Sequence, residues 1–485
     1  MNLRSLAKDT AIYGLSSIAG RFLNYLLVPL YTNVIAAESG GYGIVTNLYA
    51  YTALLLALLT FGMETTLFRF AGKEGKDPRM VYSTVLRMVG GVALGFLVLV
   101  FAFLKPISAS LGYAAHPEYI ACMAAIVAMD AFQAIMFSSL RQQGRPLKFM
   151  ALKFAFIIPN VLLNLAVFLV LPRFFSGNPA LQSFYEGMDH GVGLIFFVNL
   201  LCTFCVNLGF AKEIKGIFYG FDKGLARQML SYTWPLLILS LVGVFNQVAD
   251  KILFPELMPG PEGKVQLGIY GACVKIAMIM AMLTQAFRYA YEPIVFNGSR
   301  DKDSPETLAD GSKYFVVFTL LAFLAVMFYM PVLKHLVGST YWEGLKVVPI
   351  VMLAEIFMGI YFNLSFWYKL SDKTYWGAIM SAVGAAVMVA VNIIWVPRIG
   401  YMACAWGGLA GYGTAMLMSW FIGQKKYPIP YDTRTILGFF ALAAILYAAS
   451  EGLGRCGLGD IAHMAVNTAL LLVYCAAVWK FALKR

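Results

Sequence analysis

The chain has 485 residues, 60% of them hydrophobic and only 13% charged, with a mean hydropathy of +0.73. Soluble domains run near half apolar and a quarter charged, so this composition excludes one and points to a polytopic membrane protein. A net charge of +12 raises nucleic acid as a partner, but the distribution of that charge, taken up below, excludes it.

Apolar runs of 16–25 residues separated by short polar connections read as helices, because an open strand edge cannot sit in hydrocarbon. The alternation of an outer-membrane barrel is absent. Fourteen spans follow, at roughly 11–36, 43–62, 80–104, 119–140, 148–171, 189–210, 231–255, 267–290, 313–331, 345–368, 375–396, 401–422, 434–451 and 461–481. The first is too long for a signal peptide and lacks a small-residue cleavage site, so a retained helix is expected. The longest polar stretches are 172–188, 211–230 and 297–312.

Span one carries Arg21 at its centre, where an unpaired guanidinium is costly and a polar cavity or partner is expected. Asn24 lies on the same face at i,i+3. Tyr13, Tyr25 and Tyr31 offer rings that can stack on sugars. Span two ends with Glu64 and Arg69, candidates for a gate, and span four carries Asp130 at membrane depth. Cys202 and Cys205 in span six have CxxC spacing, yet no second pair and no nearby His, so apolar packing is expected.

The segment 211–230 alternates lysines with Ile, Phe, Tyr and Leu, which suits either an interfacial helix or a solvated linker. On span seven, Asn246 with Asp250 and Gln247 with Lys251 form adjacent i,i+4 pairs. Span eight holds Lys275, then Gln285, Arg288 and Glu292 on one arc near its end, the last two matching the gate position of Glu64 and Arg69. Glu355 in span ten is the second mid-membrane carboxylate. Either it or Asp130 can carry a coupling proton or cation, since a buried carboxylate is stabilised by one; a helix–helix hydrogen bond is the alternative. His463 in span fourteen reads as structural.

The Lys and Arg residues between the spans and at their ends fall on alternate sides, twenty-three with the termini against seven opposite. That is the positive-inside asymmetry, which places both termini in the cytoplasm and makes the basic excess a topology signal. Spans 1–6 and 7–12 also look related. A shift of 228 residues pairs Tyr42 with Tyr270, Gly43 with Gly271 and Glu64 with Glu292, and FLVLPRF (168–174) echoes IIWVPRI (393–399). A six-plus-six duplication gives parallel halves with a cavity between them. The expected division is an N-lobe at 1–210, the connecting segment at 211–230, a C-lobe at 231–426 and two further helices at 427–485.

Four segments carry a family likeness: KDTAIYGLSSIAGRFLNYLLVPLYT (8–32), SGGYGIVTNLYAY (39–51), LRQQGRPLKFMALKF (140–154) and WVPRIGYMACAWGGLAGYG (395–413). In order and spacing the chain resembles the multidrug/oligosaccharidyl-lipid/polysaccharide exporter superfamily, and within it the bacterial O-antigen-type oligosaccharide lipid flippases. The resemblance implies two six-helix lobes facing each other in a V, with spans 1, 2, 7 and 8 lining a central cavity. It implies movement of undecaprenyl-diphosphate-linked glycan across the inner membrane by alternating access, for lipopolysaccharide or other surface polysaccharide assembly. In that setting Arg21, Asn24, Lys275, Lys251 and Gln247 are the expected substrate contacts. Glu64, Arg69, Arg288 and Glu292 are the expected gate, and Asp130 and Glu355 the coupling carboxylates.

The implied partners are the lipid-linked glycan, membrane lipids, a polysaccharide polymerase and glycosyltransferases. No enzyme activity, metal or cofactor is expected beyond a coupling proton or sodium ion; no GxxxxGK[ST] loop is present. A cation-coupled multidrug exporter and a peptidoglycan-precursor flippase are the rival functions. A membrane glycosyltransferase would need catalytic carboxylates on a large loop, and the loops here are short.

Overall fold

The computed structural model describes residues 25, 27–72, 75–175, 179, 182–183, 191–298, 304–371, 373–454 and 459–483. Its secondary structure is helical throughout these residues. The principal helices are α1 (Leu27–Val34), α2 (Gly41–Thr60), α3 (Met63–Ala71), α4 (Pro78–Ala102), α5 (Pro117–Gln142), α6 (Pro146–Leu165) and α7 (Val192–Gly209). They continue with α8 (Lys223–Leu257), α9 (Pro261–Gly298), α10 (Ser304–Phe328), α11 (Val348–Leu364), α12 (Tyr375–Ile399), α13 (Met402–Lys426), α14 (Thr433–Gly454) and α15 (Asp460–Val478).

Among the described residues, twelve helical stretches are long and apolar enough to cross a membrane. Two of the spans expected from the sequence are not among these twelve. Most of 11–36 lies outside the described residues, and 401–422 coincides with α13, a helix of 25 residues whose glycines dilute its hydropathy. The fourteen-span arrangement is compatible with this fold.

Local chemistry explains where the helices begin. α4, α5, α6 and α9 open on Pro78, Pro117, Pro146 and Pro261, where a missing N–H costs nothing and φ is already helical. Asp77 caps α4 by accepting from the Arg79 amide at 2.9 Å. α8 and α9 run for 35 and 38 residues, well beyond the 25 and 24 expected. At 1.5 Å per residue they span roughly 52 and 57 Å, so both project past an apolar layer about 30 Å thick.

The expected second span ends at a backbone break, beyond which a further helix, α3, follows. Phe61 (φ +33°) and Gly62 (φ +74°) are both left-handed and separate α2 from α3. A Cβ at Gly62 would lie 3.3 Å from the Leu236 Cβ on α8, so glycine serves both the turn and the close approach.

The chain divides into two compact units, residues 1–35 with 41–252 and residues 36–40 with 253–485. In the first, Met63 and Leu67 of α3 pack with Val81, Val85 and Val89 of α4, and with Ala131, Ile135 and Leu140 of α5. In the second, Tyr361, Trp367 and Tyr368 pack around Met380 of α12, and the Trp367 indole donates to Ser419 at 3.2 Å. α12 and α13 approach until a Cβ on Gly384 or Gly411 would stand 2.7 Å from the other's carbonyl oxygen. Such small-residue contacts drive helix association in lipid, where apolar side chains gain nothing from leaving solvent.

The last two helices are held by polar bonds. Asn467 on α15 donates to the Phe328 carbonyl at 3.1 Å and accepts from Ser450 Oγ at 2.7 Å, and Tyr474 donates to the Val317 carbonyl at 3.1 Å. His463 reaches the Ser450 carbonyl at 3.0 Å, a packing position. Replacing Asn467 by Leu should therefore lower the unfolding free energy by about 1–2 kcal/mol in detergent. Leu472→Ala, on an exposed face, should change it by much less. Thermal unfolding of both variants checks the difference; equal stability would show that these bonds do not hold α15.

Candidate functional site

Polar and charged side chains in the first unit gather at two depths. Near the middle of α5, Asp130 interacts electrostatically with Lys153 of α6 and with Tyr49 of α2. Lys153 lies 4.0 Å from the Phe137 ring centre, so its ammonium is shared between a carboxylate and an aromatic face. Beside it, Asn199 of α7 donates to the Tyr49 hydroxyl, and Gln133 of α5 donates to the Thr203 carbonyl at 2.9 Å. This is a polar seam joining α2, α5, α6 and α7 at membrane depth. Asp130 stands out in the sequence by its depth, whereas Lys153, close to the start of its span, does not.

The second depth lies at the membrane end where α3 ends and α4, α6 and α8 begin. Glu64 accepts from Ser138 Oγ at 3.0 Å and from Arg141 Nη2 at 3.4 Å, both on α5. Arg69, expected beside Glu64, instead sits 4.1 Å from the ring centre of Tyr232 on α8. A cavity of about 560 Å³ opens here, lined by Thr60, Glu64, Thr65, Phe68, Arg141 and Leu236, with Gly62, Leu239 and Ser240 completing the wall. In the sequence Arg141 is one of the basic residues of the topology signal, and nothing local to Glu64 announces a partner 77 residues away.

At the same end, residues 211–219 form one short helical turn (Ala211–Ile214) and a 3-10 stretch (Lys215–Tyr219) that lie across α4. Glu213, its side chain only 5% exposed, is clamped by Lys148 at 2.6 Å and Arg145 at 3.2 Å. Arg87 and Ser83 of α4 donate to the Ile217 carbonyl at 2.7 and 3.0 Å, and Tyr219 donates to Asp77 at 2.7 Å. Phe218 is 79% exposed, with Lys212 and Lys215 nearby. The segment is thus strapped to the first unit while its apolar ring faces outward.

The other expected residues fall as follows. Arg21 and Asn24 lie outside the described residues, as does the side chain of Glu292. Lys251 binds Asp250 at 2.9 Å and the Gln247 carbonyl at 3.3 Å; its own carbonyl accepts from Asn47 at 2.8 Å, and Asn47 in turn accepts from Tyr113 at 2.8 Å. Gln247 itself is exposed. In the second unit Lys275 is half-buried on α9, Arg288 lies 4.2 Å from the Phe362 ring centre, and Glu355 is half-buried near the centre of α11. Among the described residues no three His, Cys, Asp or Glu side chains group as metal ligands, and Cys202 and Cys205 are free.

Residues 6–294 match the family model described as polysaccharide biosynthesis protein. No curated protein matches the chain. Among solved structures it is similar to lipid II flippase MurJ in an inward closed conformation, with a TM-score of 0.73 at 13% identity over 97% of this chain and 99% of that one. An inward-facing multidrug resistance MATE family transporter of the MOP superfamily aligns with a TM-score of 0.66 at 14% identity, covering 83% of this chain and 93% of that one. The MATE multidrug transporter DinF-BH gives 0.59 at 15% identity, covering 87% and 96%. These likenesses establish the fold expected from the sequence, that of an all-α polytopic membrane protein.

The two ion-paired sites at this end should respond differently to neutralisation. Glu213→Gln leaves two cations around a buried amide and removes hydrogen bonds to charged groups, which is expected to cost about 1.5–3 kcal/mol. Glu64→Gln breaks a half-exposed pair and should cost under about 1 kcal/mol. Thermal unfolding and membrane protein yield measure both; a Glu64 variant as damaged as the Glu213 variant would contradict this ranking.

Proposed function

We propose, for a chain that belongs to the polysaccharide biosynthesis protein family, that it is a flippase moving undecaprenyl-diphosphate-linked oligosaccharide across the inner membrane for surface polysaccharide assembly. The observation that carries this reading is the family match combined with a MurJ-like fold along nearly the whole chain. A lipid-linked glycan presents an anionic diphosphate and many hydroxyls, so it needs a wet, cationic route while its isoprenoid tail stays in lipid. No reaction has to be catalysed; alternating access between two membrane faces is enough, so the protein is read as a transporter and not an enzyme.

In this reading Arg21 and Asn24, with Lys275, Lys251 and Gln247, contact the headgroup. Glu64, Arg69, Arg288 and Glu292 act at the mouth, and Asp130 or Glu355 couples transport to a cation. The positive-inside asymmetry sets both termini and the 211–222 strap in the cytoplasm. A polymerase and glycosyltransferases are the natural partners, because they would consume and supply the lipid-linked glycan. The likeness to MATE multidrug transporters supports a drug-exporter reading of the same fold. Against it stand the polysaccharide family match and Lys153, which gives the mid-membrane carboxylate a cationic neighbour.

Reconstituted in proteoliposomes, the protein should move fluorescent lipid-linked oligosaccharide between leaflets and leave cationic dyes untransported. Arg21→Ala should abolish that movement at unchanged protein level, and Arg21→Lys should keep part of it, because charge persists without the bidentate fork. Wild-type movement by Arg21→Ala would remove Arg21 from the substrate path.

Coupling can be assigned separately. Asp130→Asn should preserve substrate binding but make flipping insensitive to an imposed proton or sodium gradient. Full gradient dependence in both Asp130→Asn and Glu355→Gln would place the coupling elsewhere.

A further inference from the structure

We propose that the 560 Å³ cavity between α2, α3, α5 and α8 is a binding site for the diphosphate of an isoprenoid-linked substrate, in which phosphate oxygens displace Glu64 from Arg141. The proposal deepens the flippase reading and rests on it for the identity of the substrate.

The contrast among the charged clusters of the first unit points to this one. Glu213 is sealed, with two cations on a side chain 5% exposed, and Asp250 is 9% exposed and chelated by Lys251 at 2.9 and 3.0 Å. Such pairs hold structure, because separating them strands a buried charge. The Glu64–Arg141 pair is different in each respect. Its side chains are 42% and 40% exposed, its one contact is 3.4 Å long, and it faces a cavity. A long, half-exposed pair contributes little on its own and is open to exchange.

The chemistry of the wall fits a diphosphate. Arg141 meets Glu64 through a single terminal nitrogen, and the same nitrogen lies 3.1 Å from Ser138 Oγ. A phosphate can instead take the planar guanidinium with two oxygens at once, the stronger, charge-assisted geometry. Phe68 lies beneath that guanidinium, 5.3 Å from ring centre to Cζ, and so favours one orientation of the fork. Thr60, Thr65 and Ser240 add hydroxyls to the wall, while Leu236 and Leu239 offer an apolar surface for the first isoprene unit. Glu64 then has a defined part: once phosphate occupies Arg141, the adjacent carboxylate repels it. The site therefore loads and releases, where a purely cationic pocket would trap.

The test uses the full-length protein in nanodiscs with farnesyl diphosphate as the probe. Neutralising the two partners of one ion pair should shift affinity in opposite directions. Arg141→Gln should weaken binding at least about tenfold, as expected for loss of a charge-assisted contact, with Arg141→Lys intermediate. Glu64→Gln should tighten binding and, in the flipping assay, slow turnover. A purely structural pair gives both variants the same sign, or none, and that result overturns the proposal, as does an absence of farnesyl diphosphate binding by the wild type. If Arg141→Gln fails to fold, Arg141→Lys and Glu64→Gln still decide the sign. If the predicted affinities are found but the wild type flips no lipid-linked glycan, the flippase reading falls and the isoprenoid-diphosphate site stands.

Discussion

A peptide group in hydrocarbon has no water to bond, and a charge there has no counterion; these two facts shape nearly every feature of this protein. The first makes the described chain helical, with its helices opened by prolines and by the cap at Asp77. The second favours a neighbour for a charge at depth, as seen for Lys153 with Asp130 and an aromatic face, Lys251 with Asp250, and Arg288 with Phe362. Aromatic rings thus do part of the work that counterions do in soluble proteins.

Much of this was readable in the sequence, and the part that was not has a physical explanation. Hydropathy located α4 and α12 to within a few residues, because lipid-facing apolar runs end abruptly at polar loops. It underestimated α8 and α9, whose ends leave the apolar layer and lose that signal while the backbone hydrogen-bond ladder continues. It ended the second span at residue 62, beside the left-handed Phe61 and Gly62, and so left out α3, which continues the helical path beyond them. The carboxylates Glu64 and Asp130 could be picked out by their depth. Their neighbours Arg141 and Lys153 could not, because side-chain pairing between helices leaves no local pattern. Arg141 in particular resembled any other basic residue at the end of a span. Arg21 and Asn24, the strongest expectations from span one, lie outside the described residues.

The connecting segment shows how a short stretch can be both fixed and adhesive. Its backbone carbonyls are taken by Tyr82, Ser83 and Arg87 of α4, and Glu213 is sealed by Arg145 and Lys148. With the inner side so occupied, Phe218 and the flanking lysines are left on the exposed side.

The contact between Gly384 and Gly411 has a consequence for how variation in this chain should be distributed. Two backbones that touch leave no volume for a methyl group, and neither position carries charge, polarity or a place near any cavity described above. Sequence drift in the exposed apolar residues of α12, such as Ile379, Val383 and Ile393, exchanges one lipid contact for another. At the two glycines, every replacement is an enlargement, so tolerance there is set by geometry alone and falls to zero at the smallest possible step.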